Sequence, residues 1–213
     1  MDRPSTWMQP IARTVALVAG FALVLQLALI VGQFAGRGEG VGAALWRFFG
    51  FFTILSNLFV CIVAAAMGLR AGSPLARPWV RLSALVAILL VGITYSIALR
   101  HVWEPTGWQA VADHLLHDAV PPLFLLAWLA SGHGTLRWGQ VWRALLFPLA
   151  YLAYAVARGA YDGWYAYYFL DPGKAGWDGF AAAAGGITVA VALGAAILVA
   201  VDRWLGGARA RRR

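Results

Sequence analysis

Residues 48–69 read FFGFFTILSNLFVCIVAAAMGL, without a single charged side chain. A helix needs about 20 mostly apolar residues to cross the hydrocarbon of a bilayer. This stretch therefore predicts a transmembrane helix. Working outward, five more stretches qualify, at roughly 11–35, 81–99, 113–131, 141–158 and 180–205. Clusters of Gly, Pro, Arg and Trp separate them, as loops should. No soluble domain, internal repeat or low-complexity linker interrupts the pattern. The expected architecture is all-α: one polytopic membrane domain over residues 1–213, a bundle of six transmembrane helices.

Composition supports that class. The chain is 62% hydrophobic and 12% charged, against about 25% charged for a soluble domain. Too little polar surface is left to cover a soluble globule. The net charge of +8 belongs to membrane-flanking loops rather than to a nucleic-acid partner. The single Cys61 allows no internal disulfide and no cysteine metal centre. The first apolar run, preceded by Arg3 and Arg13, is too long for an ordinary signal-peptide core and reads as a retained anchor helix.

Orientation follows from the basic residues. Arg3, Arg13, Arg70, Arg77, Arg81, Arg137, Arg143, Arg203, Arg209, Arg211, Arg212 and Arg213 fall on one side. Arg37, Arg47, Arg100, Arg158 and Lys174 fall on the other. The first side is expected to be cytoplasmic, with both termini inside. Arginine in place of lysine, with abundant alanine and glycine, suits a GC-rich bacterial genome and hence an inner membrane. Seven of the nine acids (Glu39, Glu104, Asp113, Asp118, Asp162, Asp171 and Asp178) lie on the outer side.

Two polar residues enter apolar segments from that outer side. Thr53 lies about five residues into the second span, or ~7 to 8 Å, and His117 about ~6 Å into the fourth. Ionisable groups inside a membrane are functional candidates by default. A threonine hydroxyl becomes a nucleophile when a base sits within hydrogen-bond reach, and neutral histidine is the natural base. Asp113 precedes His117 by one helical turn and is placed to orient its ring. Asn57 follows Thr53 by one turn and is placed to donate to an oxyanion. His114 is a supporting candidate. Arg47 is the candidate anchor for a substrate carboxylate, with Arg100 and Arg158 at similar depth; snorkelling to headgroups is the plain alternative for each. Pro121 and Pro122 should loosen the fourth span after His117, and Pro148 should kink the fifth.

Blander and rival readings stand beside this one. Membrane-helix threonines often bond only their own backbone or a neighbouring helix. His114 and His117, with His101, Glu104 or Asp118, also read as a zinc candidate, although the His-Glu-x-x-His arrangement is absent. Haem would need histidines deeper in the bundle. No metal or cofactor is expected. The aromatic stretch 158–171 reads as an interfacial belt.

Two motifs carry a resemblance. One is Trp46-Arg47-Phe-Phe-Gly-Phe51-Phe52-Thr53-Ile-Leu; the other is Asp113-His114-Leu-Leu-His117-Asp-Ala-Val-Pro121. In these the chain resembles the androgen-induced protein (ADTRP-like) family of six-helix membrane threonine hydrolases. It resembles still more closely a group of bacterial six-helix membrane proteins. The resemblance implies an intramembrane lipid ester hydrolase acting on fatty acid esters of hydroxy fatty acids or related acyl lipids. Thr53 would be the nucleophile and His117 the catalytic histidine. The chain departs from the family's eukaryotic pattern in carrying Asp113 where Asn is usual and Asp118 where a small hydroxyl residue is usual. The expected partner is a membrane lipid substrate. The alternatives are a metal-dependent membrane hydrolase and a non-enzymatic lipid-binding membrane protein.

Overall fold

The computed structural model describes residues 5–69 and 72–210. Arg3, Arg70 and the basic residues 211–213 used in the orientation reading lie outside them, as does the side chain of Arg209. The described residues are helical, without a strand. The helices are α1 (Met8–Ala35), α2 (Val41–Phe48), α3 (Phe52–Leu69), α4 (Pro78–Thr94), α5 (Gly107–His114), α6 (Val120–Leu129), α7 (Val141–Asp162) and α8 (Pro172–Ala210). α8 is interrupted at Gly176, whose φ of 70° only glycine tolerates easily.

Among the described residues, five helical stretches are long and apolar enough to cross a membrane: Met8–Ala35, Phe52–Leu69, Pro78–Leu99, Trp138–Asp162 and Pro172–Ala208. The expected 48–69 span splits: α2 ends at Phe48, and α3 starts at Phe52. The expected fourth span, 113–131, is not one long α-helix. Helix α5 passes into a π-helical turn, Leu115–Ala119, and then into α6. The prolines explain the break. Pro121 and Pro122 have no N–H to give the carbonyls of His117 and Asp118, so the standard ladder fails there. Val120 N–H instead reaches back five residues to the Leu115 carbonyl. Helix α4 ends in the same way. A π-turn covers Tyr95–Leu99, and Arg100 N–H bonds the Tyr95 carbonyl at 2.8 Å.

Small residues let the helices approach. α1 lies along α3, with Ala12, Val15 and Ala19 packed in one core with Val60, Val63 and Ala64. The same core takes in α4, α6, α7 and α8 through Leu85, Phe124, Ala155 and Val199. Large apolar side chains such as Leu17, Phe21, Val24, Ile93, Leu193 and Ile197 face outward. Their exposure along several helices is costly in water and natural in lipid, which makes this an integral membrane protein.

At the end of the bundle opposite Thr53, Asp202 closes the loop after α6. Its Oδ2 accepts N–H bonds from Gly134, Thr135 and Leu136 at 2.9 to 3.0 Å. Its Oδ1 lies 3.1 Å from His133 Nδ1. Gly206 allows the crossing, since a Cβ there would fall 2.4 Å from the Gly134 Cα.

Candidate active site

Thr53 is the second residue of α3 and is almost wholly buried, at 8% exposure. His117 lies inside the π-turn between α5 and α6. The two meet: Thr53 Oγ1 is 3.2 Å from His117 Nε2. The widened turn aims the ring. A π-turn inserts one residue into the helical repeat, shifts the faces that follow, and is a common device at functional sites.

The other side of the imidazole faces only acceptors. His117 Nδ1 lies 2.9 Å from the Asp113 backbone carbonyl and 3.3 Å from Asp113 Oδ1. Both need a proton from the ring, so Nδ1 carries the hydrogen, and in the neutral ring Nε2 then has its lone pair toward Thr53. Asp113 is 5% exposed, and its second oxygen accepts a bond from the Tyr95 hydroxyl. The Tyr95 ring stacks on His117, with centroids 4.1 Å apart and planes 17° from parallel. Arg100 bonds Asp118 and lies 4.8 Å from the Tyr95 ring centroid. That ion pair raises the Arg100 pKa. It also pins the two π-turns to each other. Gly92 on α4 makes the approach possible, because a Cβ there would sit 3.2 Å from the His117 carbonyl oxygen.

The other three expected residues stand outside the hydroxyl–imidazole contact itself. Asn57 is fully buried, and its amide nitrogen donates to the carbonyls of Thr53 (2.8 Å) and Leu116 (3.3 Å). With its donors spent on backbone, it ties α3 to the π-turn instead of facing an oxyanion. His114 is exposed and bonds Asp118 at 2.7 Å, so it touches neither Thr53 nor His117. The Arg47 guanidinium makes no hydrogen bond or ion pair with a described residue and lies 4.1 Å from the Trp164 ring centroid. The zinc reading does not fit this donor set. His117 is committed at both nitrogens and His114 points to Asp118. Among the described residues no three His, Cys, Asp or Glu side chains converge.

Tyr167 was read only as part of an aromatic belt, yet it belongs to the site. Its hydroxyl accepts the Thr53 N–H at 3.3 Å and lies 3.4 Å from Thr53 Oγ1. Burial raises its pKa, so it keeps its proton. Tyr95 enters the site from a run that otherwise reads as apolar. For Tyr95 a lone tyrosine hydroxyl near the depth of Thr53 is the available signal; for Tyr167 three neighbouring tyrosines obscure it.

Two hollows meet at Thr53, Leu99 and Tyr167. One is a cavity of about 350 Å³ that contains Thr53, His117, Asp113 and Tyr95, with Gln26, Gln109 and Trp103 at its margin. The other is a narrow apolar cleft of about 60 Å³ between α4, α7 and α8, walled by Val91, Pro148, Leu152, Ile187 and Val191. The first falls in the range of small-molecule sites, and the second is walled mostly by apolar side chains. Compared with known proteins, the chain matches no family model, no curated protein and no solved structure.

Proposed function

We propose that the protein is an intramembrane lipid ester hydrolase that works through a Thr53–His117 dyad and an acyl-threonine intermediate. The observation that carries this reading is the 3.2 Å contact between Thr53 Oγ1 and His117 Nε2, at the wall of a cavity that shares Thr53, Leu99 and Tyr167 with an apolar cleft. The resemblance of the two sequence motifs to membrane threonine hydrolases points the same way.

In the proposed reaction Thr53 Oγ attacks the ester carbonyl, and its proton passes to His117 Nε2. The positive imidazolium is held by Asp113 at Nδ1, as in a triad. The Tyr167 hydroxyl is the donor nearest the nucleophile and takes the oxyanion. His117 returns the proton to the leaving alcohol oxygen as the carbon–oxygen bond breaks. Water, activated by the same nitrogen, then cleaves the acyl-threonine, releases the acid and restores Thr53. The acyl chain lies in the apolar cleft.

The proposal includes the helical run 107–129 as a sixth span, although its α-helical pieces are short. With six spans and the arginine bias, both termini are cytoplasmic and the site opens toward the outer leaflet of a bacterial inner membrane. Purified protein should hydrolyse a long-chain ester and become labelled on Thr53 by a fluorophosphonate. Undiminished turnover by Thr53→Ala would sink the assignment.

A further inference from the structure

The outward ends of α2 and α7 carry a cluster that the ester chemistry leaves unused. Arg158 is 4% exposed and lies against two indoles, 4.4 Å from the Trp46 ring centroid and 4.7 Å from that of Trp164. Arg47 reaches the same Trp164 ring at 4.1 Å. A Cβ at Gly50 would fall 2.3 Å from Arg158 Nη1, so glycine three residues before Thr53 is what leaves room for the guanidinium.

The charges in this cluster do not balance. Asp162 is the one carboxylate hydrogen-bonded into it among the described residues, and it is shared out; Glu39 acts on Arg47 only through space, against Arg37 and Arg158. Asp162 accepts the Trp46 indole N–H at 2.6 Å, the Trp164 backbone N–H at 2.9 Å and Arg158 Nε at 3.5 Å. Nothing described pairs with Arg47. Partial burial, with Arg158 close by, lowers the Arg47 pKa. Two guanidiniums beside one distracted carboxylate repel each other until an anion joins them. The cluster also adjoins the site. Trp164 packs edge-on against Phe51, with centroids 5.3 Å apart, and Phe51 lines the cavity of Thr53 and His117.

We propose that Arg47 and Arg158, walled by Trp46 and Trp164, bind the phosphate of a lipid headgroup at the mouth of the hydrolytic cavity. One guanidinium satisfies a carboxylate by a two-point bond. Two guanidiniums offer more donors than a carboxylate can use and suit the larger set of oxygens on phosphate. In its role this inference rests on the hydrolase reading: it makes phosphate-bearing acyl lipids the substrate class and disfavours neutral esters.

Binding to the full-length Thr53→Ala protein tests it without turnover. Retention of dioleoyl phosphatidic acid, dioleoylglycerol and oleate would be compared by native mass spectrometry, with and without inorganic phosphate. The expected result is at least about tenfold preference for phosphatidic acid over the neutral lipid and over oleate. Arg47→Gln should erase that preference while leaving the thermal midpoint in place. Arg158→Gln should do the same, checked for folding by size exclusion. Displacement by millimolar inorganic phosphate would support the phosphate site and extend it to the free ion. Equal retention of the neutral lipid, equal retention of oleate, or indifference to Arg47→Gln in a folded protein would overturn it. Failure here leaves the dyad standing, because ester turnover by wild-type protein is decided separately.

Discussion

Tyr95 holds His117 in two ways at once. Its ring lies flat on the imidazole, 4.1 Å between centroids, and its hydroxyl bonds the carboxylate that faces the same imidazole's Nδ1. The chain Tyr95, Asp113, His117, Thr53 thus runs across three helical segments: the π-turn after α4, the α5–π junction and α3. Removing the hydroxyl alone separates orientation from packing. Tyr95→Phe keeps the stack and frees one oxygen of Asp113. Hydrogen bonds to charged groups contribute about 1.5 to 3 kcal/mol. Turnover under the proposed mechanism should therefore fall roughly 10- to 100-fold, with KM little changed. An unaltered kcat would remove Tyr95 from the positioning chain.

Tyr167 should matter more to the transition state than to folding. Losing one oxyanion donor typically costs 10²- to 10³-fold in kcat, and Tyr167→Phe should show about that loss. Its ring remains to stack on Phe169, now at 5.4 Å. Fluorophosphonate should still label Thr53, only more slowly. A variant with full turnover would leave the oxyanion without its assigned donor.

Asp202 should behave in the opposite way. It serves three backbone N–H groups and His133 in a buried corner far along the bundle from Thr53. Leaving a buried donor without its acceptor costs about 1 to 3 kcal/mol, and here several lose theirs together. Asp202→Ala should lower the thermal midpoint in detergent markedly, while turnover per folded molecule stays near wild type. A stable variant with lost activity would tie the inner corner to the site.

Much of the scaffold could be read from residue patterns. Mostly apolar stretches long enough for a bilayer announce α1, α3, α4, α7 and α8, since length and hydropathy are what hydrocarbon selects. The pairing of Thr53 with His117 followed from matching depths on two inward-running segments. The π-turns did not announce themselves. Pro121 and Pro122 signalled a disturbance near His117, but the widening of Leu115–Ala119 depends on which carbonyl Val120 finds. Nothing in residues 95–99 marks the second turn. Asn57 misled for a related reason. Its spacing from Thr53 was right, but its amide turned to the two backbones it touches, a choice set by tertiary neighbours. Tyr167 was hidden by company: five other aromatics within residues 161–169 made a belt the simpler explanation.

One consequence of the Asn57 bridge remains. A single carboxamide fastens the carbonyl beside the alcohol to the carbonyl beside the imidazole. The reactive gap is therefore governed by a local clasp and not by how tightly the spans are squeezed overall. Bilayers of different thickness or fluidity can tilt the lipid-facing ends of those helices and leave the spacing of the chemistry intact. An Arrhenius plot of turnover across a lipid phase transition should accordingly break where substrate delivery changes, and not because the two partners drift apart.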